Sequence, residues 1–95
     1  MRIGLDFDGT YSADPELWDE FIRIARRRGH VVDIVTMRGS HESEQVNRNC
    51  DGKVDRIVYT NRKAKQRHMD FIDRHVDVWI DDMPQFVIQD AWMGD

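Results

Sequence analysis

Four short apolar blocks punctuate the chain: Ile3-Gly4-Leu5-Asp6-Phe7, Val31-Val32-Asp33-Ile34-Val35-Thr36, Val54-Asp55-Arg56-Ile57-Val58-Tyr59 and Val76-Asp77-Val78-Trp79-Ile80-Asp81. They recur about every 25 residues and are rich in Val and Ile, so each predicts a short strand. The intervening segments carry helical spacing. From Pro15 to Arg28, the residues Leu17, Trp18, Phe21, Ile22 and Ala25 share one face. Asp14 suits the N-cap, Pro15 the first helical position and Gly29 the stop. Arg26, Arg27 and Arg28 place positive charge at the negative end of that helix. Between Lys63 and His75, the residues Ala64, His68, Met69 and Ile72 align. The segment Ser40 to Asn49 is the weakest. Val46 is almost its only apolar residue, so an exposed helix is expected there.

Strands alternating with helices predict parallel pairing and an α/β fold. The expected architecture is a three-layer, Rossmann-like domain over residues 1–95, with a short parallel sheet of four strands. The tail from Pro84 to Asp95 contains Phe86-Val87-Ile88 and Trp92. It reads either as a short helix or as a fifth strand at the sheet edge.

Composition narrows the class. The chain has 95 residues, with 14 Lys and Arg against 18 Asp and Glu, a formal charge of −4. That length fits one domain. Apolar residues are 40% and come in blocks, which argues against disorder. No stretch approaches the roughly 20 apolar residues of a membrane span. The start, Met1 to Asp6, is charged too early for a secretion signal, and a single cysteine, Cys50, makes no internal disulfide. A cytoplasmic location is therefore expected. His30, His41, His68 and His75 are scattered without zinc-site spacing. They and Cys50 read as surface or half-buried residues, and Trp18, Trp79 and Met69 as core.

In an open parallel sheet, ligands bind beyond the carboxyl ends of the strands. The first strand delivers Asp6-Phe7-Asp8-Gly9-Thr10 there, the second Thr36-Met37-Arg38-Gly39. The third delivers Tyr59 to Lys65, including Arg62 and Lys63, and the fourth Asp81-Asp82. The run Arg26-Arg27-Arg28 falls at the opposite edge and reads as a solvated last turn. Four carboxylates at one edge repel one another, and a hard divalent cation such as Mg²⁺ resolves the repulsion through oxygen ligands. Hydroxyl, lysine and backbone N–H groups beside it make an anion site. A metal, an anion site and a carboxylate nucleophile together point to phosphoryl transfer.

With these residues assembled, the chain resembles the haloacid dehalogenase superfamily of phosphohydrolases. Asp6-Phe7-Asp8-Gly9-Thr10 looks like its first motif, Thr36 its second, a lysine opening the third helix its third, and Asp81-Asp82 its acidic fourth. The likeness runs from Arg2 to Pro84 and is nearest to small capless hydrolases of bacteria and phages, on Thr36-Met37-Arg38 and Trp79 to Pro84. The resemblance implies a Mg²⁺-dependent phosphatase. It implies that Asp6 is the nucleophile that becomes an aspartyl phosphate, and that Asp8 is the general acid and base. Mg²⁺ would be held by the Asp6 carboxylate, the Asp8 carbonyl and one of Asp81 or Asp82. Thr36 would bind the phosphoryl oxygens and a lysine would balance charge. Lys63 and Lys65 both fit; distance from Asp81 favours Lys65. Gly9, Thr10, Met37, Arg38 and Lys63 are the expected substrate contacts.

The spans from Thr10 to Val31 and from Gly39 to Val54 leave no room for a cap domain. An open site suits a bulky substrate such as a nucleic-acid end or a phosphoprotein. It also suits a phosphorylated small molecule in a homodimer whose partner covers the site. The alternative of another class is a non-catalytic phosphate- or partner-binding module that keeps the fold.

Overall fold

The computed structural model describes residues 1–91; Trp92 lies outside the described residues. Its strands are β1 (Arg2–Leu5), β2 (Val31–Thr36), β3 (Arg56–Tyr59) and β4 (Val78–Ile80). Its helices are α1 (Pro15–Arg27), α2 (Glu44–Cys50), α3 (Lys65–Phe71) and α4 (Gln85–Ile88). The strands form one all-parallel sheet in the order β3-β2-β1-β4. The fold is the expected α/β layered, Rossmann-like type. Among the described residues the sheet has four strands. Phe86-Val87-Ile88 belongs to helix α4 and adds no fifth strand.

The topology fixes the layers. The first two crossovers step from β1 to β2 to β3; the third returns past them to β4. Crossovers of one hand then put α1 and α2 on one face and α3 on the other. The two cores agree. On one face Ile3, Leu5, Val32 and Ile34 pack with Ile22 and Ala25 of α1 and with Val46 and Cys50 of α2. On the other, Val35 and Val58 pack with Met69 of α3, Val76 and Trp79. Alternate strand residues serve alternate faces.

Local chemistry explains the boundaries. The Asp14 side chain accepts from the Leu17 N–H at 3.3 Å, capping α1 as expected. Gly29 ends it at a φ of +89°, a left-handed conformation that glycine adopts without strain. Arg26 turns from solvent to the Lys53 carbonyl at 2.7 Å, tying α1 to the loop before β3. Gly4 is required by close approach: a Cβ there would lie 2.7 Å from the Trp79 ring.

Three expectations are corrected. Helix α2 is not wholly exposed: Glu44, Gln45, Asn47 and Arg48 face solvent as expected, but Val46 and Cys50, one turn apart, are fully buried and seat it on the sheet. Cys50 is therefore core rather than surface. Leu17, placed by periodicity on the inner face of α1, is 51% exposed, whereas Trp18 and Phe21 pack against the core and Ile22 and Ala25 are buried in it.

The second face also holds a buried carboxylate. Asp33, in the middle of β2, is fully buried and is gripped by Arg74 through two bonds of 3.1 and 2.8 Å. Arg2 stands 3.5 Å away. A charge so placed is tolerable only when paired. No helix among the described residues is long and apolar enough to cross a membrane.

Candidate active site

The carboxyl ends of β1, β2 and β4 open on one cleft of about 190 Å³. It is lined by Asp6, Asp8, Thr36, Met37, Lys65, Asp81 and Asp82, with Met83 and Phe86 closing one side. It stands where the strand order reverses, the usual ligand position of open α/β sheets.

Asp6 directly follows β1 and is 6% exposed. Its N–H donates to the Ile80 carbonyl at 3.0 Å, so the β1–β4 ladder continues one residue and locks Asp6 beside Asp81. Both carboxylate oxygens are held. Lys65 donates to Oδ1 at 2.7 Å, and the Thr10 hydroxyl donates to Oδ2 at 3.0 Å. Burial pushes the Asp6 carboxyl up to about 7; Lys65 pulls it back, and the neighbouring Asp81 adds to the rise.

Lys65, the first residue of α3, is only 2% exposed. Its Nζ donates to Asp6 and, at 2.5 Å, to Asp81. Reach separates the two candidate lysines: Lys63 is exposed and outside the cleft lining, whereas Lys65 enters it. Two successive residues with positive φ, Asn61 and Arg62, turn the chain sharply after β3 and bring α3 to this position. Arg62 then braces the turn, donating to the Met37 carbonyl at 2.7 Å and to Glu42. Asp90 ties the far side by accepting from the Ala64 N–H at 2.7 Å.

Asp81 and Asp82 follow β4. Asp81 accepts from the Met83 N–H at 2.9 Å as well as from Lys65. Asp82 is exposed and receives a weak bond from Thr10, whose Oγ1 in turn accepts from the Asp82 N–H at 3.2 Å. Its carboxylate rests on Gly9, where a Cβ would lie 2.2 Å from Oδ2. Gly9 and Thr10, the expected substrate contacts, also arrange the carboxylates: Gly9 makes room for Asp82, and Thr10, 7% exposed, links Asp6 to Asp82.

Thr36 is buried at the end of β2, and its Oγ1 accepts from the Arg38 N–H at 3.2 Å. The hydroxyl proton is left to donate into the cleft. Arg38 turns to Asp8, with Nε to Oδ2 at 2.9 Å and Nη2 to Oδ1 at 2.7 Å. Met83 and Phe86 line the cleft unforeseen; their sequence context carries no signal beyond an apolar tail.

Carboxylate oxygens of Asp6, Asp81 and Asp82 all lie within 4.8 Å of one another. Three converging hard donors, one of them free of the lysine, fit a hard divalent cation such as Mg²⁺. The Asp8 carboxylate is outside this trio. Comparison of the chain with protein-family models, curated proteins and solved structures found no match.

Proposed function

We propose that the chain is a phosphohydrolase of the haloacid dehalogenase type, a Mg²⁺-dependent phosphatase. The observation that carries this reading is the convergence of carboxylates from the first and last strands on one buried lysine, with Thr36 and Asp8 beside them.

The chain's own groups have distinct tasks. An oxygen of Asp6 attacks phosphorus, forming the aspartyl P–O bond while the ester P–O bond breaks. Asp8 gives a proton to the departing oxygen, then takes one from the water that hydrolyses the acyl phosphate. That second step breaks the aspartyl P–O bond and returns Asp6. Thr36 donates to a phosphoryl oxygen, and Lys65 balances the negative charge that gathers around Asp6 and the phosphoryl group. Asp6, Asp81 and Asp82 would hold the cation, which supplies charge neutralisation between carboxylates and phosphate. The cleft volume suits a phosphoryl group, with the rest of a substrate lying outside it. A phosphorylated small molecule and a nucleic-acid end both meet that requirement.

The test is hydrolysis of an aryl phosphate with and without Mg²⁺, in the wild type and in Asp6→Asn. Metal-dependent turnover abolished by Asp6→Asn is expected. Absence of metal-dependent turnover leaves a non-catalytic phosphate-binding module as the better reading, and full activity in Asp6→Asn overturns Asp6 as the nucleophile.

A further inference from the structure

Asp8 has an unusual dependence on one neighbour. Its side chain is 56% exposed, and its only side-chain partner among the described residues is Arg38. An exposed aspartate rotates freely unless something holds it. Here a guanidinium grips both oxygens in parallel, which fixes the carboxylate plane as well as its position. A lysine contact would fix neither.

The guanidinium is itself immobilised. Nη1 donates to the Glu42 carbonyl at 3.1 Å, and Nη2 donates to Gln45 Oε1 at 3.1 Å as well as to Asp8. Its carbon lies 5.2 Å from the centre of the Phe7 ring, which is fully buried. The Arg38 backbone N–H is fastened to Thr36. Isolated surface ion pairs contribute little to stability. The content of this one is orientation: loop, ring and helix α2 fix Arg38, and Arg38 fixes Asp8. Arg38 thus spends its donors on the protein and has little left for a substrate anion.

We infer that Arg38 is the positioning residue for Asp8, setting the direction from which the leaving oxygen receives its proton. The inference rests on the phosphatase reading above. It has a signature that mere structural support lacks. A misplaced proton donor matters for an ester whose leaving group needs a proton and hardly at all for one that does not.

The experiment measures kcat and KM on phenyl phosphate and on p-nitrophenyl phosphate for wild type, Arg38→Ala, Arg38→Lys and Asp8→Asn. Arg38→Ala is expected to lower kcat/KM, which reports formation of the aspartyl phosphate, by about tenfold or more on phenyl phosphate and by only about twofold on p-nitrophenyl phosphate. Asp8→Asn should show the same selectivity more strongly, and added guanidinium should restore part of the Arg38→Ala loss. If Arg38→Ala does not fold, Arg38→Lys, which keeps the charge and loses the fork, carries the same expectation. Equal losses of kcat/KM on both esters overturn the inference, as does a raised KM at unchanged kcat, which would make Arg38 a phosphate grip. If Asp8→Asn itself shows no selectivity, the proton-donor role of Asp8 fails, and the inference falls with the reading beneath it.

Discussion

The Nζ of Lys65 stands 2.7 Å from Oδ1 of Asp6, and both side chains are almost wholly removed from water. Neither charge is tolerable there alone. Removing one member of such a pair costs about 3–5 kcal/mol, because the other is left buried and uncompensated. Lys65→Met should therefore lower stability by that order in urea titrations, and should abolish turnover. A stable, active Lys65→Met would contradict the role given to this lysine.

Mg²⁺ should stabilise the folded protein, because the ion finds its three carboxylates together only in the native state. At tenfold excess over its Kd the gain is about 1.4 kcal/mol, which for a domain of this size is a rise in Tm of about 6–11 °C. Chelation should reverse it, and Asp6→Asn should remove it. Thermal melts with and without millimolar Mg²⁺ read the result directly.

Asp19 gives a pH dependence of known sign. Desolvation raises its pKa, but bonds from the Tyr11 hydroxyl at 2.6 Å and from Lys53 at 2.9 Å outweigh that and hold it below 3.8. A depressed carboxyl pKa stabilises the fold above the unfolded value and ceases to do so as pH falls through the folded one. The Tm difference between wild type and Asp19→Asn should therefore be steady near neutrality and shrink below about pH 4. Burial pushes the Tyr11 phenol up to about 12, so it stays neutral throughout.

Gly4→Ala tests the sheet beneath the site. The new methyl would meet the Trp79 ring at 2.7 Å and Val76 at 3.1 Å, and neither is a flexible chain end. Overpacking of this kind costs about 1–3 kcal/mol. A Tm lowered by at least about 4 °C is expected. Gly9→Ala differs in kind. It strains a residue at φ +83° and drives Asp82 from its place, so Mg²⁺ stabilisation should weaken along with Tm.

The strands and the α/β class were legible because Val- and Ile-rich blocks mark them, and α1 because Asp14, Pro15 and Gly29 bracket it. The edge at which Asp6, Thr36 and Asp81 meet followed from parallel topology. The features that the sequence does not display depend on distance through space. Nothing near Asp33 in the chain names Arg74, 41 residues on. Nothing local shows that Thr10 serves Asp6 and Asp82, or that Arg38 faces Asp8. The docking of helix α2 is hard to read locally because two small apolar residues, Val46 and Cys50, suffice to seat its two turns when both are wholly buried.

The strand order also sets when the site comes into being. Pairing of β1 with β2 joins residues 29 apart, and β2 meets β3 across 23. Pairing of β1 with β4 spans 75, the costliest loop to close and the last that a growing chain can attempt. Until then Asp6 has no Asp81 or Asp82 beside it, and no Lys65 fixed between them. The carboxylates of Asp6, Asp81 and Asp82 are thus brought together only by the longest-range pairing of the sheet, and the docking of β4 that assembles them also completes the lysine's bridge.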